Sequence, residues 1–151
     1  MSTRYFDAFE HGESGVTGTF GVTESDVVGF AGQYDPQPFH LDDAAARDTL
    51  FGRLAASGWH TTAIANRLLV NDWLHDAAIA GAEGFDNLRW RRPVYPGDVL
   101  RCRYAVTDRR SSPDPRFGVL SVDVGVLNQD DVTVMSMKWL PWIAREPQTA
   151  E

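Results

Sequence analysis

A carboxylate and an imidazole held five residues apart, Asp35 and His40, are the groups of this chain best suited to moving a proton. They lie in the stretch YDPQPFHLDDAAA, residues 34–46, at the two ends of a loop that contains Pro36 and Pro38. Each proline fixes its own φ and pushes the residue before it away from helical geometry. Such a loop is stiff, and a stiff loop holds reacting groups near a productive geometry without an ordering penalty at each turnover. Free aspartic acid titrates near about 4 and free histidine near about 6.5, so such a pair needs only modest tuning to work near neutral pH. The plainer alternative is that Asp35 ends a helix ahead of a proline and that His40 is an ordinary hydrogen-bonding side chain.

A second stretch, LAASGWHTT, residues 54–62, suits a different task. Ser57 is placed to cap a helix, and the start of a helix leaves backbone N–H groups without partners. Those donors and the helix dipole can stabilise an oxyanion. Gly58 lets a substrate approach the backbone, while Trp59 and His60 put bulk beside it. The alternative is a simple cap followed by a tight turn. A metal reading also exists: His40 and Asp42 with His60 or His75 could imitate a two-histidine, one-carboxylate site. The later histidines fall in or near a predicted helix, which suits that site poorly.

The elements around these residues follow from pattern. Residues 4–11 are aromatic-rich and read as a strand. Thr23 caps a helix carrying Val27, Phe30, Ala31 and Tyr34 at helical spacing, with Asp26 completing a near capping box. The prolines end it. Asp42 or Asp43 starts a short helix running to about Leu50. Ser57 starts a longer one whose face is marked by Ala65, Leu68 and Leu69. So few charges lie along it that burial on most sides is expected. The period then changes to two. Leu88 and Trp90, then Leu100, Cys102, Tyr104 and Val106, then Leu120, Val122, Val124 and Val126, then Met135, Met137 and Trp139 alternate with polar residues, which predicts three or four strands. Pro96 and Gly97 mark a turn. Short connections between strands imply antiparallel pairing, so the expected class is α+β, one long apolar helix against an antiparallel sheet; a sheet wrapped around a long central helix is an arrangement the pattern allows without demanding.

Composition narrows the partners. The chain has 151 residues, 43% hydrophobic and 23% charged, with a formal net charge of -7. This fits one domain over residues 1–151, with residues 143–151 as a loose tail. An acidic chain is a poor general binder of nucleic acid. The charge is uneven, however: residues 1–88 carry 13 acidic and four basic side chains, whereas residues 89–116 carry eight arginines and three aspartates. A local basic stripe suits a small anionic ligand; its alternative is the solvent face of strands. The single cysteine, Cys102, can form no internal disulfide. No apolar run resembles a signal peptide or a membrane span, so the expected location is the cytoplasm.

Taken together, FAGQYDPQPFHLDDAAA, LFGRLAASGWHTTAIANRLL, LRWRRPVYPGD and FGVLSVDVGVLNQ resemble the MaoC-like family, which includes the (R)-specific enoyl-CoA hydratases. The resemblance implies a hotdog fold, usually in a homodimer or a dimer of dimers, and action on acyl-CoA or acyl-carrier thioesters. It implies that Asp35 and His40 hold and activate the water that adds to the enoyl carbon. Ser57, Gly58, Trp59 and His60 would form the oxyanion and substrate-binding region, the Gly58 amide bonding the thioester oxygen. Arg91 and Arg92, with Arg101 and Arg103 as further candidates, would meet the phosphates of coenzyme A. No cofactor beyond the coenzyme A of the substrate, and no metal, is implied. The sequence departs from the family pattern at Gln37, where asparagine is usual, at Tyr34 beside Asp35, and at Ala63, where some hydratases have serine. The rival readings are a hotdog thioesterase and a non-catalytic acyl-CoA-binding subunit. Thioesterases of this shape usually place a carboxylate on the central helix, and residues 57–70 contain none.

Overall fold

A computed structural model describes residues 2–149. It holds three helices, α1 (Glu24–Tyr34), α2 (Asp43–Ala46) and α3 (Gly58–Asp72), and five strands, β1 (Ser14–Gly21), β2 (Ile79–Trp90), β3 (Val99–Ser111), β4 (Phe117–Leu127) and β5 (Thr133–Ala144). The strands form one sheet in the order β1-β3-β4-β5-β2, antiparallel at every pairing. The sheet packs its apolar face on α3, which is the hotdog arrangement. Among the described residues no helix is long and apolar enough to cross a membrane.

Alternation explains the packing. On β4, Leu120, Val122, Val124 and Val126 are buried in the core, as are Leu100, Cys102 and Val106 of β3 and Met135, Met137 and Trp139 of β5. They meet Ile64, Ala65, Leu68 and Leu69 of α3. Burying each such aliphatic side chain contributes about 1.5–3 kcal/mol before entropy is counted. The other face of α3 is open at Trp59, Ala63, Asn66 and Arg67. The helix is therefore amphipathic, not surrounded, because a single sheet layer covers only one of its sides.

The two edge strands depart from the pattern read in the sequence. The first strand is residues 14–21, not 4–11. Residues 4–11 instead hold a short 3-10 turn (Phe6–Ala8) that drives Phe6 and Phe9 into the core. Strand β2 begins nine residues before Leu88. Its first half, with Gly81 and Gly84 at positive φ and two of the strand's three register shifts against β5, shows no alternation to read. Both strands lie at edges, where one ladder suffices and side-chain pattern is weakly constrained. Helix α2 stops at Ala46 rather than near Leu50 because the Thr49 hydroxyl donates to the Ala46 carbonyl, offering the backbone a turn in place of another helical bond. The tail is also shorter than expected. Ile143 is fully buried in β5, and Arg145 bonds the Arg116 carbonyl and the Asp7 carboxylate.

Residues 91–98 carry the chain from the β2 edge across to β3. Tyr95, Pro96, Gly97 and Asp98 make the expected turn, with Asp98 N–H donating to Tyr95 O and Gly97 at φ 95. A positive φ at the third turn position is the geometry that glycine allows. From this crossing, Val94 O accepts from Ala56 N–H at 2.8 Å and the Tyr95 hydroxyl donates to Phe51 O at 2.6 Å. The crossing thus clamps the segment that leads into α3.

Candidate active site

Helix α1 delivers Asp35. Thr23 caps its start, its hydroxyl oxygen accepting from Asp26 N–H, and Asp35 sits at its C-terminal cap with its own N–H bonded to Ala31 O. The two prolines then turn the chain, and Pro38–His40 form one 3-10 turn that buries His40 to 4% exposure. The returning segment fixes that ring. Ala55 donates its N–H to Phe39 O at 3.1 Å, and Ala55 O faces His40 Nδ1 at 2.6 Å. A carbonyl oxygen can only accept, so Nδ1 carries the proton and a neutral ring keeps its lone pair on Nε2. That nitrogen lies 3.5 Å from Asp35 Oδ2.

The carboxylate is held from two sides. Gln37 Nε2 donates to Oδ1 and the Ser57 hydroxyl donates to Oδ2, each at 2.7 Å. Partial burial pushes the Asp35 pKa up. The two donors, with the nearby His40 imidazole, outweigh it and hold the acid below the ordinary carboxylate value. Asp35 is therefore ionised at neutral pH.

Asp35 and His40 share the wall of a cavity of about 510 Å³. Gln37, Phe39, Phe51, Gly58, Trp59, Thr61 and Trp90 also line it, with Arg91 and Arg92 among the remaining residues of its wall. Gly58 is the first residue of α3, and its N–H has no acceptor among the described residues. The Trp90 indole lies against its α-carbon, meets Trp59 edge-to-face, and donates from Nε1 to Thr62 Oγ1 at 3.2 Å. The cavity thus joins an ionised acid, an imidazole of defined tautomer, a helix-start amide and an aromatic wall.

Not every residue singled out in the sequence arrives there. Trp59, Gly58, Arg91 and Arg92 do. Ser57 is fully buried and lies behind Asp35 instead of on the cavity wall. His60 turns away: its ring stacks on Phe30 with centroids 4.7 Å apart, and burial lowers its pKa while Asp26 opposes that. The step of one residue along a helix explains the divergence, since Trp59 and His60 point about 100° apart. Arg101 is paired with Asp131, and Arg103 lies on the sheet's outer face in a separate groove with Lys138 and Asp123. Among the described residues no three histidine, cysteine, aspartate or glutamate side chains are gathered as a metal site, and neither His60 nor His75 joins His40 and Asp42. Gln37 and Trp90 were not read as site residues. The substitution of glutamine for the family's asparagine was visible, but not its reach to Asp35.

Comparison with known proteins bears on the family and the fold. Residues 9–126 match the profile of the MaoC like domain. The chain is 33% identical over 129 residues to the uncharacterized protein YdeM of Bacillus subtilis, covering 85% of this chain and 90% of that one. It is similar in structure to a MaoC-like dehydratase from Rhodospirillum rubrum, with a TM-score of 0.87 at 36% identity, covering 96% of this chain and 99% of the other. The R-hydratase PhaJ1 from Pseudomonas aeruginosa shares the fold, with a TM-score of 0.74 at 24% identity over 97% of this chain and 92% of that one.

Proposed function

This chain belongs to the MaoC-like dehydratase family, and on that footing we propose that it is a hydro-lyase adding water reversibly to a 2-enoyl-CoA to give a 3-hydroxyacyl-CoA. One observation carries the reading: His40 Nε2 and Asp35 Oδ2 stand 3.5 Å apart on the wall of one cavity, beside the Gly58 amide, which has no acceptor among the described residues. Names of relatives, a MaoC-like dehydratase and an R-hydratase, support the reaction class.

In this reading a water lies between the two side chains, donating one hydrogen bond to Asp35 and one to His40 Nε2. As its oxygen attacks the β-carbon, Nε2 takes the proton. The adjacent carboxylate stabilises the imidazolium that forms. Negative charge moves to the thioester oxygen, where the Gly58 N–H and the start of α3 can meet it. The imidazolium then returns its proton to the α-carbon. The reverse direction removes that proton and expels the hydroxyl as water. Neither direction changes the total oxidation state of the substrate, so the chain's own groups suffice to balance it.

Arg91 and Arg92 are proposed to meet the phosphates of coenzyme A. Both line the cavity, and neither has a carboxylate partner among the described residues. Replacing both with alanine should raise KM for the CoA thioester by roughly a hundredfold or more, consistent with charge-assisted bonds of about 1.5–3 kcal/mol each. The KM for the same acyl group on a truncated pantetheine thioester, which lacks the nucleotide phosphates, should stay nearly constant. An equal change for both substrates would remove the arginines from phosphate recognition.

A homodimer is proposed as the working state. Strands β1 and β2 are the edges of the sheet among the described residues, and Phe85 and Trp90 of β2 are exposed together with Trp59 and Leu50. A second copy could cover this apolar surface. Light scattering on the purified protein should give twice the chain mass; a monomer at micromolar concentration would contradict the assignment.

The reaction itself is tested by offering a panel of short 2-enoyl-CoA compounds and following both enoyl absorbance and free thiol. Loss of absorbance without thiol is the expected result. Thiol release would indicate a thioesterase, and binding without turnover would indicate a carrier subunit.

A further inference from the structure

Ser57 was expected to face the substrate, yet its side chain is sealed from solvent and lies outside the cavity wall. Its hydroxyl performs two tasks at once. The oxygen accepts from Trp59 N–H at 3.2 Å, capping α3. The single hydroxyl proton goes to Asp35 Oδ2 at 2.7 Å. Oδ2 is also the oxygen nearest His40 Nε2. We infer that Ser57 is the positioning residue of the acid–base pair, tying the carboxylate at the end of α1 to the start of α3 and aiming Oδ2 at the imidazole.

The reasoning is geometric. Asp35 follows helix α1 and precedes a proline; its backbone is held by its own N–H on Ala31 O and by Gln37 N–H on its carbonyl, and neither bond sets the side-chain rotamer. The side chain retains rotational freedom unless a donor fixes it. Gln37 fixes Oδ1, but Gln37 is an exposed neighbour two residues away on the same loop. Ser57 comes from a separate element 22 residues on and is itself immobilised by the cap it makes. The same element supplies the Gly58 amide. The carboxylate and the proposed oxyanion donor are therefore held in register by adjacent residues of one helix start. A fixed donor to the charged form also keeps Asp35 ionised, in keeping with the downward direction of its pKa. The other charged or titratable groups around the cavity are His40, Arg91 and Arg92.

The inference rests on the hydratase reading, and the test separates the two. Three variants are needed: Ser57→Ala, Ser57→Gly, which keeps a residue well tolerated at a helix cap, and Ser57→Thr. Two quantities are read for each: the Asp35 carboxyl titration by carbon-13 NMR, and the pH profile of kcat and KM with but-2-enoyl-CoA. Removing the donor raises the Asp35 pKa, and activity needs the ionised acid. The acid limb should therefore move to higher pH in the alanine and glycine variants. Their kcat at neutral pH should fall by roughly 10–100-fold, because a small misplacement of a reacting group is that expensive. KM should hold, since Ser57 does not line the cavity. Threonine, which keeps the hydroxyl, should restore the titration. If the glycine variant folds and the Asp35 titration does not move, the positioning role is overturned, whatever the activity. If the titration moves as expected but the unaltered protein hydrates none of the enoyl thioesters, the positioning role stands and the hydratase reading falls.

Discussion

Asp35→Asn and His40→Ala are each expected to lower hydration by roughly 10²–10⁴-fold, the range associated with losing a positioned acid or base, while the fold survives. The two changes fail for different reasons. Asparagine keeps the shape of Asp35 but replaces one acceptor oxygen with a donor. That donor would face either the Gln37 amide or the Ser57 hydroxyl, both of which now donate to the carboxylate. The charge that stabilises an imidazolium 3.5 Å away is lost as well. Alanine at position 40 removes the free Nε2 lone pair and leaves the Ala55 carbonyl without its 2.6 Å partner. Steady-state kinetics should show the loss mainly in kcat, and circular dichroism should match the unaltered protein. Because the pair acts on one water, the double variant should be little worse than either single one. Near-normal turnover in either variant would remove the pair from the chemistry.

Gly58→Ala should produce the other large effect. Its φ is not positive, so alanine meets no backbone strain there. The difficulty is space: a β-carbon would fall well inside contact distance of Cδ2, Cε2 and Nε1 of Trp90. Trp90 is half-exposed and can swing, so the substitution displaces a wall of the cavity more than it unfolds the protein. Overpacking of this kind typically costs about 1–3 kcal/mol of stability. The expected kinetic cost is roughly 10–100-fold in kcat/KM, because the new methyl and the moved indole stand where the thioester must approach the amide. Combining Gly58→Ala with Trp90→Ala should recover part of the loss, since the clash needs both groups. Failure to recover, with both proteins folded, would mean that Trp90 is not the obstacle.

The parts legible in the sequence were those governed by local rules. Thr23 and Ser57 announced α1 and α3 because capping is a property of one residue and its next three. Pro36 and Pro38 marked the loop because proline acts on its immediate neighbours. The buried faces of β3, β4 and β5 were readable because a central strand must alternate. Edge strands β1 and β2 obey no such rule, and their glycine-rich segments gave nothing to count. The site divided along the same line. Asp35 and His40 belong to one short loop and could be paired from spacing. The Ser57 hydroxyl reaches a carboxylate 22 residues away, which no local pattern encodes. His60 was grouped with Trp59 by adjacency, yet neighbouring helical residues diverge, and Phe30 from α1 claims its ring. Arg101 looked as free as Arg91 until Asp131, in the turn between β4 and β5, accounted for it.

The most direct measurement runs the reaction with but-2-enoyl-CoA in heavy-oxygen water and weighs the products. The account predicts an intact CoA thioester with the heavy oxygen in a new hydroxyl group, formed by the unaltered protein and nearly absent with Asp35→Asn. Heavy oxygen found in a free carboxylate, with coenzyme A released, would contradict it.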